Sequence, residues 1–410
     1  MRAEVISIGD ELTSGQRLDT NSQWLSQQLG MLGVTVVYHT TVADELEANV
    51  RVFRQAAERA DVIVATGGLG PTADDLTREA LAQAAGRELV LDEAALEHIR
   101  EIFSRRTRPM PESNTVQAMF PRGSRAIANP HGTAPGIAIE LPGPSGGVSH
   151  VFALPGVPAE MREMWQASVV PAIASLGGTS RVLRYRRIKC FGVGESDLEQ
   201  MLPDLIRRGR EPQVGITVHD ATITLRIAAL GADEAACRAL IEPTEATIRQ
   251  SLGTLAFGSE DDELEHAVLK LLAERRQTLA TSEWGTGGLL ADWLSAADPV
   301  GERYVGGSII RSAAAWAVLF AEHKTSDAGP ADVAAAMASA CRQECETDWG
   351  LAIGPFPSDA DAQRSGELHL ALASRAGVKT VQTTFAGHPT IRRPRSAKQA
   401  LNLLRLALIK

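Results

Sequence analysis

The sequence predicts an α/β protein: an α/β layer unit over the first ~170 residues, then a small α+β unit and a third unit that opens helix, strand, glycine loop, helix. Three observations predict it. Apolar strand patterns alternate with helical patterns over residues 1–170. The run "DVIVAT" is apolar throughout, as in a parallel strand covered on both faces. And 410 residues exceed what one compact core holds, so two or three domains are expected.

Each element has its own signal. "EVISIG" reads as a short strand. "TNSQWLSQQLGMLG" is helical, with Trp24, Leu25, Gln28 and Leu29 on one side and Gly30 or Gly33 to end it. "TVVYHTTV" is β-branched and reads as a strand. "LEANVRVFRQAAERA" places Leu46, Val50, Phe53 and Ala57 at helical spacing. After "DVIVAT" comes "TGGLGPTADDLTREA", a glycine loop leading into a helix that is expected to start between Thr72 and Asp75. Leu76, Ala80, Leu81 and Ala84 form its apolar side, and Gly86 closes it. "HVFALP" is a further buried strand before the helix "AEMREMWQAS".

"ASLGGTSR" marks the first junction, giving units at 1–175, 176–257 and 258–410. The middle unit reads βαββα: "RVLRYRRIKCFG", "ESDLEQMLPDLIRR", the hairpin "VGITVHDATITLRIAAL" and a closing helix. Its basic run, Arg181, Arg184, Arg186, Arg187 and Lys189, has no interleaved aromatics, so a solvated strand face is expected and not a nucleic-acid surface. The third unit opens on "DELEHAVLKLLAERR", with Leu264, Val268, Leu271 and Leu272 inward. Strand, glycine loop and helix follow in "TLATSEWGTGGLLADWL".

Composition excludes some functions. Net charge is −9 and aromatics make up 4%, which argues against broad nucleic-acid or anionic-membrane binding. No apolar stretch approaches the ~20 residues of a membrane span, and no signal-peptide pattern opens the chain, so a cytoplasmic protein is expected. Cys341 and Cys345 share a helix face, but no nearby His completes a metal site. With Cys190 and Cys237 they read as reduced thiols.

The chemistry concentrates where strands end. "SIGDE", "VATGGLGPTADD" and "FALPGVPAE" each run from a strand into a polar or glycine loop, and parallel strands would bring all three to one sheet edge. Gly67, Gly68 and Gly70 permit close backbone approach, and the N–H groups of the following helix favour an anion. Thr66 and Thr72 add hydroxyl donors. Asp74 and Asp75 are carboxylates at that same spot. Helix capping accounts well for one acidic residue and less well for two facing a phosphate. A divalent cation bridging carboxylate and phosphate oxygens reconciles them. Asp10 and Glu11 bring two more carboxylates to the edge, or cap the next segment. Asn21 caps its helix or bonds a ligand, with capping favoured. Glu160 caps, binds metal, or does neither.

"IGDELTSGQRLDTNSQWL", "ATGGLGPTADDLTREALA", "RPMPESNTVQAMFP", "NPHGTAPG" and "LPGVPAEM" together resemble the CinA family. The resemblance implies a molybdopterin-binding-like α/β/α domain, a KH-like α+β domain around "FGVGESDLE", and an α/β CinA C-terminal domain. For the first domain it implies metal-dependent cleavage of ADP-ribose to AMP and ribose 5-phosphate. On that reading Gly67, Gly68, Gly70, Thr72 and Asn21 hold the nucleotide, while Asp10, Glu11, Asp74 and Asp75 are catalytic. Asp10, Asp74 and Asp75 hold the metal, and one carboxylate orients water. A small-molecule nucleotide is the expected partner and a homodimer the expected assembly. The alternative is a module that binds a nucleotide or a molybdopterin-like ligand without turnover.

The family's last domain can be a nicotinamide mononucleotide deamidase with the motif Thr-Ala-Glu-Ser-Cys-Thr-Gly-Gly. Here the stretch is "TSEWGTGG", so Trp284 replaces the Ser and Gly285 the Cys. Indole supplies no nucleophile. Ser282 lies two residues early, about 7 Å away at ~3.3 Å per residue. Arg311, Trp316, His388 and Pro389 also stand at departures from the family pattern. Loss of deamidation is expected, with retention through Ser282 as the alternative.

Overall fold

The computed structural model describes residues 1–177, 182–207, 209–319, 329–357 and 366–410. By contact the chain divides into two compact units. One comprises Met1–Arg184 with Leu230–Arg238, and the other Tyr185–Ala229 with Ala239–Lys410.

The first unit runs β1 (Arg2–Ile8), α1 (Asp10–Thr13), α2 (Thr20–Met31), β2 (Thr35–Val42), α3 (Leu46–Arg59), β3 (Val62–Thr66) and α4 (Thr77–Ala85). It continues through β4 (Leu89–Leu91), α5 (Glu93–Arg105), β5 (Met119–Pro121), β6 (Arg125–Ile127), β7 (Gly136–Pro142), β8 (Val148–Leu154), α6 (Pro158–Met164) and α7 (Val170–Ser175). Six strands form one sheet in the order β2-β1-β3-β8-β7-β6. β2, β1, β3 and β8 are parallel, so their carboxyl ends meet at one edge as expected. β7 runs antiparallel to β8, and β6 antiparallel to β7.

Alternation along the strands builds two cores. Ile6, Ile63 and Ala65 face Phe53, Leu81 and Ile99 of α3, α4 and α5. Val5, Val62, Val64 and Phe152 face Leu25, Leu29 and Trp165 on the α2/α6 side. This is the expected three-layer α/β/α arrangement. Of the apolar faces predicted for α2, α3 and α4, Leu25, Leu29, Val50, Phe53, Ala57, Ala80 and Leu81 are buried while Trp24, Gln28, Leu46, Leu76 and Ala84 are half-buried, and Gly86 ends α4 in a left-handed conformation.

The second unit contains a four-stranded sheet and a five-stranded sheet. β9 (Val182–Cys190), α8 (Glu195–Met201), β10 (Gln213–His219), β11 (Thr222–Gly231), α9 (Glu234–Leu252) and β12 (Ala256–Ser259) follow the βαββα reading, with a fourth strand added; the sheet order is β10-β11-β9-β12. The helix expected over "ESDLEQMLPDLIRR" stops at Met201, because Pro203 removes a backbone donor just beyond. Of the basic run, Arg181 lies outside the described residues. Arg184 pairs with Glu234, Arg186 with Glu245 and Glu260, Arg187 with Glu260 and Asp261, and Lys189 with Glu263.

The remainder comprises α10 (Leu264–Arg275), β13 (Leu279–Trp284), α11 (Leu289–Ala297), β14 (Tyr304–Ile310), α12 (Ala313–Leu319), α13 (Pro330–Glu344), β15 (Trp349–Ile353), β16 (Gly366–Ser374), β17 (Gly377–Phe385) and α14 (Pro389–Leu408). The sheet order is β14-β13-β15-β16-β17. Of the inward stripe expected on α10, Leu264, Val268 and Leu272 are buried, while Leu271 is only partly covered.

Candidate functional site

The carboxyl ends of β1, β2, β3 and β8 open onto a cavity of ≈ 420 Å³. Glu11, Asp74 and Asp75 line it together with Gly67, Gly68 and Gly70, so the three loops converge as expected, but Asp10 and Thr72 are not in its lining and Asn21 lines only the smaller cavity beside it. Asp44, Arg17, Gln117 and Glu160 line it as well. A smaller cavity adjoins through Ile8, Glu11, Arg17, Gly67 and Gly156, and continues to Asp19 and Asn21.

The glycine loop is shaped by its carbonyls. Gly67 has φ +109° and Gly68 φ +63°, both left-handed; a Cβ on Gly67 would run into the Ile8 carbonyl and one on Gly68 into the Thr77 hydroxyl. Thr77 Oγ1 donates to Gly67 O at 2.9 Å, and Thr77 N–H to Gly68 O at 3.1 Å. Arg78 donates to Leu69 O at 2.6 Å and to Gly70 O at 3.3 Å, and Gln117 Nε2 also reaches Leu69 O at 3.3 Å. In a planar trans peptide the next N–H points opposite the C=O. The N–H groups of Gly68, Leu69 and Gly70 therefore face away from α4, as a nest for an anion. Those of Gly68 and Leu69 meet no protein acceptor among the described residues.

Several donors expected to hold phosphate are already engaged. α4 begins at Thr77, not between Thr72 and Asp75, so both aspartates lie in the loop and neither caps a first turn. Asp75 folds back: Gly70 N–H donates to it at 2.7 Å, Thr72 N–H at 2.9 Å, and the Thr72 hydroxyl as well. This carboxylate clasps the loop by accepting two backbone N–H groups and a hydroxyl at once. Gly67 N–H is spent on Leu154 O at 3.1 Å, and the Thr66 hydroxyl on Pro155 O at 3.1 Å. Asn21 is not the cap of α2. Asp19 is, accepting from Ser22 N–H at 2.9 Å. The Asn21 amide instead donates to Gly156 O at 2.9 Å and to Thr66 Oγ1 at 3.2 Å, joining two of the three loops.

The acidic side is more crowded than the sequence suggested. Asp10 and Asp44 bond reciprocally, each side chain accepting the other's N–H, at 3.0 and 3.1 Å. Partial burial pushes the Asp44 carboxyl up, and the neighbouring charges of Asp10, Asp74 and Glu11 add to that against the Asp10 N–H. Asp74 is fully exposed and is held below the usual carboxylate range by Thr72 and its own N–H. The Glu11 carboxylate lies over Gly9. Glu160 accepts from Asn129 Nδ2 at 2.7 Å, tying "NPHGTAPG" to "LPGVPAEM". Among the described residues, no three His, Cys, Asp or Glu side chains stand as a ready-made metal cage. The donor set still fits a hard cation shared with a polyphosphate, since such ions take one or two carboxylates and complete their shell with phosphate oxygens and water.

In the last unit Trp284 is half-buried at the end of β13, with its ring 6.4 Å from that of Trp316. Gly285 has φ +117°, and a Cβ there would run into the Phe356 ring. Ser282 is fully buried and shares a 2.9 Å hydrogen bond with Ser308. Arg311 is exposed, and His388 caps α14. Cys341 is buried, and burial pushes its thiol up to about 12.

The family comparisons follow this architecture. Residues 4–175 match the family described as "Probable molybdopterin binding domain", residues 185–258 the "Damage-inducible protein CinA KH domain", and residues 261–408 the "CinA C-terminal domain". A "CinA-like protein" of Gloeobacter violaceus is 38% identical over 99% of this chain and 96% of its own length. The chain belongs to the CinA family. Another CinA-like protein, from Thermomicrobium roseum, is 36% identical over 100% of this chain and 97% of its own. A "Putative competence-damage inducible protein" of Symbiobacterium thermophilum is 44% identical over 75% and 71%. The crystal structure of "the protein CinA with unknown function" from Thermoplasma acidophilum is 34% identical, covering 42% of this chain and 96% of that one, with a TM-score of 0.38. No helix among the described residues of this CinA-family chain is long and apolar enough to cross a membrane.

Two contributors were missed in the sequence. Asp44 follows the carboxyl end of β2 just as Asp10 follows β1, a placement visible once β2 is counted among the parallel strands. Arg78 carried no signal, since a charged residue within an amphipathic helix reads as solvent-facing.

Proposed function

We propose that the first unit hydrolyses the diphosphate of ADP-ribose, giving AMP and ribose 5-phosphate, with a divalent metal ion as cofactor. The observation that carries this is a single cavity joining outward N–H groups to the carboxylates Glu11, Asp44 and Asp74. An anion nest and a carboxylate cluster side by side suit a metal-bound diphosphate better than either charge alone. A bound metal supplies charge neutralisation on the phosphate oxygens. The Gly68 and Leu69 N–H groups bind one phosphate. Glu11 and Asp74 are the carboxylates that would hold the metal; Asp10, tied to Asp44, supports them from outside the lining, and Asp75 holds the loop. Asp44, on the same cavity wall, is the carboxylate placed to take a proton from the attacking water. Water adds to one phosphorus, the P–O–P bridge breaks, and the other phosphate leaves with the bridging oxygen.

The test is incubation of the full chain with ADP-ribose across a panel of divalent metals. AMP release that a chelator abolishes is expected. Binding without AMP under every metal would instead support a non-catalytic nucleotide-binding module, a reading favoured by the Asp10 and Asp75 carboxylates already accepting backbone N–H groups. For the last unit we propose that deamidation is lost: Phe356 fills the space over Gly285 and Ser282 is sealed in the sheet. No ammonia is expected from nicotinamide mononucleotide.

A further inference from the structure

Arg78 is an unusual residue for its position. It is 0% exposed, yet no carboxylate stands within ion-pair distance of it among the described residues. Its guanidinium lies on the carbonyl side of the glycine loop, bonded to Leu69 O and Gly70 O, and its Nε has no partner. Asp75 and Glu79 are the nearest opposite charges and act only through space; burial nonetheless brings Arg78 down to about 10. Taking a guanidinium out of water without a contacting carboxylate is unfavourable. Two backbone carbonyls satisfy its hydrogen bonds but leave its charge without a contacting counterpart.

Of the two peptides it bonds, one turns its Gly70 N–H to Asp75 and the other, ending in Pro71, has no N–H. The free Gly68 and Leu69 N–H groups belong to the two preceding peptides, whose carbonyls bond Thr77. From behind the loop the Arg78 charge therefore acts through space on an anion held at those N–H groups. We propose that Arg78 is a positioning and charge-balancing residue for the bound diphosphate: a buried cation behind the glycine loop that raises affinity for a polyanion without touching it. The inference rests on the diphosphate reading of this cavity.

The probe is inorganic pyrophosphate with Mg²⁺, titrated calorimetrically into the full chain and into Arg78→Gln and Arg78→Lys. The wild type binds. Arg78→Gln keeps a carbonyl hydrogen bond but not the charge, and weakens binding by on the order of tenfold, whereas Arg78→Lys stays within about threefold. Unliganded melting temperature does not follow that order. With ADP-ribose, KM rises in Arg78→Gln more than kcat falls, as for a charge acting alike on bound substrate and transition state. Arg78→Met, which buries no polar atom, makes the same comparison should Arg78→Gln not fold. Equal pyrophosphate affinity in wild type and Arg78→Gln overturns the proposal, as does a loss in Arg78→Lys as large as in Arg78→Gln. Uncharged variants that both fail to fold beside a folded lysine variant also overturn it, by assigning the charge to the fold. A wild type that does not bind pyrophosphate removes the diphosphate reading itself.

Discussion

Asp74 and Asp75 are adjacent and chemically identical, yet the structure separates their work. Asp75 accepts two backbone N–H groups and a hydroxyl, whereas Asp74 stands exposed at the cavity mouth. Asp75→Asn turns one acceptor oxygen into a donor facing N–H groups; we expect a loss of about 1–3 kcal/mol in chemical denaturation. Asp74→Asn removes an exposed charge, so its denaturation midpoint should coincide with that of the wild type. Metal-dependent AMP release should fall by roughly tenfold or more in that variant, with a raised metal requirement. Equal losses of stability in the two variants would contradict the division. The pair was legible in the sequence as a site feature, but the division was not. It depends on where α4 starts, and Thr77 starts it by bonding back to Gly67 and Gly68.

At the scale of elements, one buried carboxylate organises the turn from β13 into α11. Glu283, fully buried at the end of β13, accepts from the Thr286 hydroxyl at 2.6 Å, from Leu290 N–H at 3.0 Å and from Ala291 N–H at 2.9 Å. One carboxylate thus fixes the glycine loop and starts α11. Glu283 and Thr286 of "TSEWGTGG" serve this turn, while Thr281 bonds the Tyr304 hydroxyl at 2.8 Å. Glu283→Ala leaves three donors unpaired, two of them buried, so a loss of about 2–4 kcal/mol is expected in urea unfolding. Gly285→Cys should not restore deamidation, because the side chain meets Phe356 on a backbone that disfavours it. An assay of ammonia release from nicotinamide mononucleotide checks this.

At the scale of the whole second unit, one polar cluster joins its two sheets' surroundings. Glu263 receives Lys398 at 3.0 Å and Lys189 at 3.2 Å, and Lys398 also donates to Thr222 at 2.7 Å. Burial opposes ionisation of Glu263, but Lys398 and Lys189 together hold its carboxyl below the ordinary range. A depressed folded value means the stabilisation is fully present above the ordinary carboxylate pKa and fades as pH falls through the lower folded value. Glu263→Gln should therefore lower the melting temperature at neutral pH and progressively less in acid. The neutral-pH loss should fall short of the roughly 3–5 kcal/mol of a fully buried broken pair, since Glu263 is 31% exposed. A gap between variant and wild type that persists unchanged below pH ~3 would rule the ion cluster out as its source.

Local sequence by itself determined the parallel strands β1, β2, β3 and β8, the amphipathic faces of α3 and α10, and the clustering of glycine and acidic loops at one sheet edge. Those follow from periodicity and turn chemistry, which act over a few residues. Tertiary structure alone decided which donors remain free for a ligand, that Asp44 joins Asp10, and that Arg78 lies buried behind the loop. Hydrogen-bond satisfaction and burial are settled between residues distant in sequence, so no local pattern records them.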